Sequence, residues 1–423
     1  MISLMNIPSL KSKTKKLPIK EIPATEYFML SLKGYGSVMK PLVNQGDEVK
    51  KYQLLAENNN GFYSCLHAPA SGVIESIQEI EGEAYIKLRN DFKDTETILA
   101  ELHIENMAPE DILNVIKYYG IEGSGGARFP TYTKYNTLDS SIDTFIINGA
   151  ECEPYLSADY ALMNHETESL FKAVEIIQKV IGASRIVIGI EHQHKKLKSN
   201  LEQSAQAFHL PFEVKILPDQ YPQGGELQLI RSVTGKELPK GSIPAQHGIM
   251  VSNVGTIHAI YEAFYNNRPY TERTITVSGE NSSEPGNYKV SIGTPIKHIL
   301  EHLGGSWNPK QQTVVLGGPM MGKAVHHADT AIHKGSGGVL VIPHPKNNRH
   351  NCIQCGYCSD VCPQHLMPME FARYTNENNP QKLQDFHLPD CIECGACAYI
   401  CPSDVPLMKS IFNGKEMIKN LHP

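Results

Sequence analysis

The sequence contains a single tryptophan and no apolar run that approaches the roughly 18–20 residues a bilayer-crossing helix needs. Its longest apolar stretches, such as Thr144-Phe-Ile-Ile-Asn148 and Gly338-Val-Leu-Val-Ile342, fall far short, so any membrane association is expected to be peripheral. A basic surplus is also missing. The chain has 39 Lys+Arg against 45 Asp+Glu, a net charge of −6, and nucleic acid is therefore not an expected partner. Cysteine is scarce outside one region. Of ten cysteines only Cys65 and Cys152 lie outside positions 352–401, which describes a local site and not a disulfide framework spread through a small secreted fold. Met1 to Leu10 lacks the basic start, apolar core and small-residue cleavage site of a secretory signal. Together these absences point to a reducing cytoplasm. The lysines that follow (Lys11, Lys13, Lys15, Lys16, Lys20) read as a solvated tail.

What remains is an ordinary globular composition, with 41% hydrophobic and 20% charged residues over 423 positions, enough for about three domains. The expected fold class is α/β multidomain. Residues 1–28 read as a tail. Residues 29–105 alternate short apolar runs with turn signals at Asn44-Gln-Gly46-Asp47, Asn58-Asn-Asn-Gly61 and Ala68-Pro69-Ala70-Ser71-Gly72, the pattern of a small β module. Val43-Asn-Gln-Gly46-Asp47 with His67-Ala-Pro69-Ala-Ser-Gly72 resembles the barrel-sandwich fold of biotinyl and lipoyl carriers. The interval Leu55–Leu66 has no lysine to modify, and the module reads as structural. Residues 106–268 alternate helix and strand patterns, as in a parallel sheet covered by helices. Residues 269–345 follow a strand, turn, strand, helix order that fits a β-grasp unit with a connector. Residues 346–410 form a cysteine-rich C-terminal domain, and 411–423 read as a second tail.

The cysteine region contains one motif twice. Cys352-Ile-Gln-Cys355-Gly-Tyr-Cys358-Ser-Asp-Val-Cys362-Pro363 and Cys391-Ile-Glu-Cys394-Gly-Ala-Cys397-Ala-Tyr-Ile-Cys401-Pro402 share the spacing of the bacterial ferredoxin run, in which the cysteine before proline serves the other cluster. The crossing assigns one [4Fe–4S] cluster to Cys352, Cys355, Cys358 and Cys401, and the other to Cys391, Cys394, Cys397 and Cys362. Zinc, the competing reading, favours CxxC pairs without a fourth cysteine before proline. Such clusters carry single electrons and cannot accept a hydride, so something else must feed them.

Two loops are candidates. Gly123-Ser-Gly125-Gly126-Ala127-Arg128 nearly matches the dinucleotide fingerprint, but its sixth position is Arg128 and a helix precedes it, so the Rossmann reading fails. Spacing alone leaves a phosphate cradle and a plain loop both open. The neighbouring Phe129-Pro130-Thr131 and Lys134 favour the cradle, since a ring and an ammonium there suit a flavin or nicotinamide phosphate. The second loop, Asn148-Gly-Ala-Glu151-Cys152-Glu153-Pro154-Tyr155, follows the expected strand 144–147, at the strand end where open α/β sheets bind ligands. A solvated, proline-stopped loop is the competing reading. Cys152 reads as a buried filler.

From about residue 29 to 410 the chain resembles RnfC/RsxC, the C component of Rnf-type (Rsx-type) ion-translocating electron transport complexes. The phrases that carry the resemblance are Gly125-Gly126-Ala127-Arg128-Phe129-Pro130-Thr131 with Lys134, Asn148 to Tyr155, Tyr221-Pro-Gln-Gly-Gly225-Glu226, Asn253-Val-Gly-Thr256, Gly317-Gly-Pro-Met-Met-Gly322 and the two cysteine runs. The two loops are also similar to the flavin and NADH site of the NADH-binding subunit of respiratory complex I. The resemblance implies an electron-input subunit of a translocase. Its implied cofactors are FMN, NADH and two [4Fe–4S] clusters, with Gly123, Gly125, Gly126, Ala127, Arg128, Phe129, Lys134, Asn148, Glu151 and Glu153 around flavin and nucleotide. It implies membrane subunits and a ferredoxin-like subunit of the same complex as partners, at the cytoplasmic face of the bacterial inner membrane, and a β-grasp (SLBB) domain at 269–345. The chain departs from the family in three places. The family's N-terminal Gly-Gly-Ile-His-Pro phrase has only Ile7-Pro8-Ser9-Leu10 as counterpart, Arg128 stands where a small residue is usual, and the long Ala/Lys-rich tail of some members is absent. Two other functions compete. A microcompartment cobalamin reductase resembles the same family, and an iron–sulfur relay with a decayed flavin site would make Arg128 the cause.

Overall fold

The computed structural model describes residues 4–58, 61–80, 82–136, 140–346 and 348–421; Asn59 and Asn60 of the expected 58–61 turn lie outside them. Two antiparallel sheets face each other in the N-terminal module. One is four-stranded, pairing Tyr27–Ser31, Glu83–Asn90, Gly72–Ile80 and Glu48–Val49 in that order, and the other joins Lys40–Pro41, Leu54–Asn58 and Ser64–His67. Their inward residues, Phe28, Leu30, Leu55, Leu66, Ile74, Ile86 and Leu88, are fully or almost fully buried, as the period-2 alternation requires.

The α/β unit has a four-stranded parallel sheet in the order Phe212–Leu217, Arg185–Glu191, Thr144–Gly149, Ile249–Asn253. The chain builds outward from Thr144–Gly149 on one side and then returns to its other side. The gap beyond the carboxyl ends of Thr144–Gly149 and Ile249–Asn253 is thus a topological switch point, where such sheets bind ligands. The acid loop leaves the first of these strands and the helix Val254–Tyr265 leaves the second. The expected helix from Pro109 spans Pro109–Tyr118. Pro109 begins it, the Asp111 carboxylate accepts from the Ala108 N–H, Ile112 and Ile116 are buried one turn apart, and Gly120 at φ +68° ends it.

A six-stranded mixed sheet follows, with Gly286–Ser291, Glu272–Ser278, Gly338–Pro343, Gln312–Leu316 and Lys323–Ala324 in spatial order behind an edge strand, Ile19–Glu21. That edge strand corrects the reading of residues 1–28 as a tail. Ile19 to Glu21 pair in parallel with Asn287 to Lys289, and Met5 forms an antiparallel bridge with Tyr221. Within the lysine run the correction applies to Lys11, which is 1% exposed; Lys13, Lys16 and Lys20 are exposed, as a solvated stretch would be. The cysteine-rich region packs as its own apolar cluster around Phe371, Leu383, Leu388, Leu407 and Ile411. Residues 411–421, expected as a tail, belong to the helix Leu407–Leu421, whose inward face carries Leu407, Ser410, Ile411 and Gly414 at helical spacing. Among the described residues no helix is long and apolar enough to cross a membrane.

Candidate functional site

The segment 121–131 closes on itself through Gly123 N–H to Phe129 O (2.9 Å) and Thr131 N–H to Ile121 O (3.1 Å), leaving Gly125, Gly126 and Ala127 at an exposed tip. Gly126 has φ +103°, a conformation closed to other residues. The tip lies on the N-terminus of the helix Val254–Tyr265. Ser124 N–H donates to Thr256 Oγ1 (2.9 Å), and a Cβ on Gly125 would stand 3.7 Å from that of Asn253. Asn253 caps the helix by accepting from Gly255 N–H (2.8 Å), and its Nδ2 donates to Asp159 Oδ2 (2.6 Å). Loop amides without a Cβ in the way, set beside a helix N-terminus, form a seat for a phosphate.

Arg128 stands at φ +57° and turns back onto its own loop. Its Nε donates to Glu122 Oε2 (2.9 Å), while the buried Lys334 Nζ reaches Glu122 Oε1 (3.2 Å), Cys65 O (2.7 Å) and Gly120 O (2.7 Å). The guanidinium is therefore anchored by a carboxylate at the loop's base. Lys134 pairs with Glu226 (2.8 Å). Asn148 Nδ2 donates to Gly224 O (2.9 Å) and its Oδ1 accepts from Ala150 N–H (3.1 Å). Glu151 accepts from the Asp159 and Tyr160 amides at the start of the helix Ala158–His165. Glu153 accepts from Met320 N–H (3.0 Å) and Met321 N–H (2.8 Å) in the loop 317–322. Burial pushes the carboxyl of Glu151 up to about 8 and raises those of Glu153 and Asp159.

All ten of the loop residues expected at the flavin line one cavity of about 1950 Å³. That exceeds the roughly 300–1,000 Å³ of ordinary ligand pockets and leaves room for a flavin together with a nucleotide. Asn148 and Glu153 reach it with side chains already committed to backbone groups, so their first effect is to shape the wall. Sequence reasoning missed two walls. The module that reads as structural supplies Tyr35 and Phe62, whose rings pack edge-on against Phe129 at 5.0 and 5.2 Å between centroids and against each other at 5.3 Å. No local pattern marks either residue. Asn253 and Thr256 are visible as a phrase, but their role depends on the loop that reaches them from 124–126.

The cysteine runs repeat in backbone as well as in sequence. Gln354 and Glu393 have φ +56° and +57°, Gly356 and Gly395 have +82° and +74°, and Cys352 Sγ and Cys391 Sγ each accept from the amide two residues on (3.4 Å). Cys362, Cys391, Cys394 and Cys397 line one small cavity, the crossed set of four. Burial raises the Cys397 thiol, and Cys394, Cys391 and Cys362 raise it further. Burial and the neighbouring cysteines raise Cys391 and Cys394 as well, and thiols crowded in this way suit a group whose iron supplies the missing positive charge. In the other set, Cys358 is buried, Cys401 half-buried, and Cys352 and Cys355 exposed. The two sites adjoin: Ile392 and Cys394 line both the thiol cavity and the large one. Tyr221 Oη donates to Cys394 O (2.6 Å) across the seam.

Four family models match successive parts of the chain. An RnfC barrel sandwich hybrid domain matches residues 5–90, a Nuo51 FMN-binding domain 116–262, an SLBB domain 274–324 and a 4Fe-4S dicluster domain 351–405. The C component of the proton-translocating ferredoxin:NAD(+) oxidoreductase complex of Clostridium ljungdahlii is 36% identical over 371 residues, covering 85% of this chain and 80% of that one. The chain belongs to the RnfC family. The corresponding component of the ion-translocating oxidoreductase complex of Vibrio cholerae serotype O1 is 35% identical over 393 residues, 90% of this chain and 51% of the relative. The chain thus spans about half the length of the Vibrio relatives it matches. Among solved structures, an NAD+-reducing [NiFe]-hydrogenase in the H2-reduced state shares the fold at TM-score 0.52 and 20% identity, over 77% of this chain and 63% of that one. The expected α/β multidomain fold class and the FMN-binding and dicluster domains are therefore features of this RnfC-family chain.

Proposed function

We propose that this RnfC-family protein is the electron-input subunit of a membrane-bound, ion-translocating NADH:ferredoxin-type oxidoreductase. In this reading it sits peripherally on the cytoplasmic face of the inner membrane and exchanges electrons with membrane subunits and a ferredoxin-like subunit. The observation that carries the reading is the shared wall: the cavity built by the glycine and acid loops continues into Ile392–Cys394 of the second cysteine run.

The residues present fit FMN. Ser124 to Ala127 and the N-terminus of Val254–Tyr265 would take its phosphate, Phe129 and Lys134 would flank it, and Glu151 would stand at the floor. When bound, FMN supplies the exchange between the two-electron chemistry of a nicotinamide and the one-electron chemistry of the clusters. The chain's own part is to hold and to shield. Tyr35 and Phe62 wall the cavity beside Phe129 on the side of the module. Tyr221 and Met320 pack against Cys394 beside the shared wall, so the distance from the cavity to the second cysteine run is short. The set Cys362, Cys391, Cys394 and Cys397 holds the cluster nearer the flavin, and the set with exposed Cys352 and Cys355 faces the partner. The relay reading, with a flavin site spoiled by Arg128, loses support because Glu122 holds that guanidinium.

An anaerobic NADH titration of cluster-reconstituted protein, with and without FMN, followed by absorbance and electron paramagnetic resonance, tests this. Flavin bleaching followed by reduced-cluster signals is expected. Two clusters reducible by dithionite in a protein that does not bind FMN would make the chain a relay.

A further inference from the structure

Lys11 has no role in the function proposed above, yet it is the most deeply buried lysine near the cavity. Its ammonium, 1% exposed, donates to the main-chain carbonyl of Glu151 and stands 4.0 Å from Glu191 Oε2. It arrives on the N-terminal segment, which is tied down on both sides. Tyr155 N–H donates to Ser9 O (3.0 Å), and Ser157 Oγ donates to Thr14 Oγ1 (2.7 Å). This cation therefore sits behind a floor lined by Glu151, Glu153 and Asp159, with Glu191 on its other side, and opposes the rise in each of the four carboxyls. The other titratable or charged groups facing this set are the Cys152 thiol, the Tyr221 hydroxyl toward Glu153, His194 (Nε2 3.7 Å from Glu191), Lys15, Asp219 and, toward Asp159, Arg273.

Buried charges persist only when paired, and removing one partner leaves the other uncompensated. Resting on the flavin reading, we propose that Lys11 is a positioning residue. It fixes the backbone of the acid loop and supplies the positive charge that lets a carboxyl-lined floor accept the further negative charge a flavin gains on reduction. Loss of that charge makes reduction harder and drives the floor carboxyls to hold their protons to higher pH.

The test compares wild type, Lys11→Met and Lys11→Arg as full-length, cluster-reconstituted protein. The readouts are the flavin midpoint potential by spectroelectrochemistry and the pH profile of thermal unfolding without FMN. For Lys11→Met we expect at least a tenfold loss of preference for reduced over oxidised flavin, about 30 mV for a two-electron couple, with Lys11→Arg close to wild type. The pH profile has a definite sign. A carboxyl whose folded value lies above its unfolded value of about 4.3 adds stability at low pH and loses it as pH rises toward the folded value. In wild type the decline ends near 7 for Glu191 and near 8 for Glu151; in Lys11→Met it continues to higher pH. A folded Lys11→Met protein with unchanged midpoint and unchanged profile overturns the proposal. If that variant does not fold, Glu191→Gln, measured above pH 8 where Glu191 is ionised, carries the test in the opposite sense, since freeing Lys11 of one carboxylate raises the midpoint, and an unchanged midpoint at that pH overturns it. Failure of wild type to bind FMN would overturn the flavin reading instead and leave the pH profile to decide the role of Lys11.

Discussion

Glu122 is the residue on which the glycine loop turns. Its carboxylate, 2% exposed, is shared by Arg128 at 2.9 Å and by Lys334, also 2% exposed, at 3.2 Å. Lys334 then reaches carbonyls of the barrel-sandwich module and of the loop, so three parts of the chain meet at one ammonium. A buried pair of this kind is poor evidence of net stability, but breaking it is costly because the remaining charge has no solvent. Glu122→Gln is expected to lower stability by about 3–5 kcal/mol, read as a shift in the denaturant midpoint. Arg128→Gly, which leaves the Lys334–Glu122 pair intact, is expected to cost less. If the two variants lose equal stability, the buried lysine is not the main contributor. The sequence shows Arg128 as out of place in its loop. It does not show the remedy, because a counter-charge six residues away becomes meaningful only once the loop closes through Gly123 and Phe129. Tyr35 and Phe62 are illegible for a similar reason, being brought to Phe129 by packing between modules and by no spacing of their own.

The helix Leu407–Leu421 works as a brace. Its inner face is narrow enough at Gly414 that a Cβ there would come within 2.7 Å of Leu388 and 2.8 Å of Thr375 Oγ1. Its Lys415 donates to Cys391 O (2.7 Å) and to Glu393 Oε1 (2.5 Å), so the helix grips the second cysteine run at its first ligand position. Ile411→Ala removes a fully buried side chain and should cost about 2–5 kcal/mol, whereas Lys415→Ala should leave the fold in place and reduce iron bound per chain after reconstitution. Equal iron content in Lys415→Ala and wild type would leave the brace without a role at the cluster. Local elements with strong periodicity or strict spacing are legible in the sequence: the helix from Pro109, the strands at 144 and 185, and both cysteine runs. The C-terminal helix has the same periodicity in Leu407, Ile411 and Gly414. Its sequence reads as a tail because its partners Phe371, Leu383 and Leu388 declare themselves only in three dimensions.

At the scale of the molecule, the N-terminal segment stitches the parts together. Met5 lies against Tyr221 and Cys394, Lys11 sits under the acid loop, Thr14 and Ser157 bond beside Asn287, and Ile19–Glu21 completes the edge of the six-stranded sheet. Removing residues 1–22 should leave each unit folded and loosen their arrangement, seen as faster proteolysis between units and a larger radius in solution scattering. An unchanged radius would mean that the seam at Cys394 holds without the segment. Composition could not disclose this, since a lysine-rich stretch is solvated in most settings; Lys13, Lys16 and Lys20 are exposed here too, and Lys11 alone of the run is buried, beside four carboxyls. The same bridge between residue 5 and residues near 221 and 394 has a meaning in time. During synthesis residue 5 emerges well before Tyr221 and Cys394, the partners it meets. Domains fold in the order they emerge, so the contact with Cys394 closes only after the cysteine-rich unit exists, and the latch is the last of these joints to set.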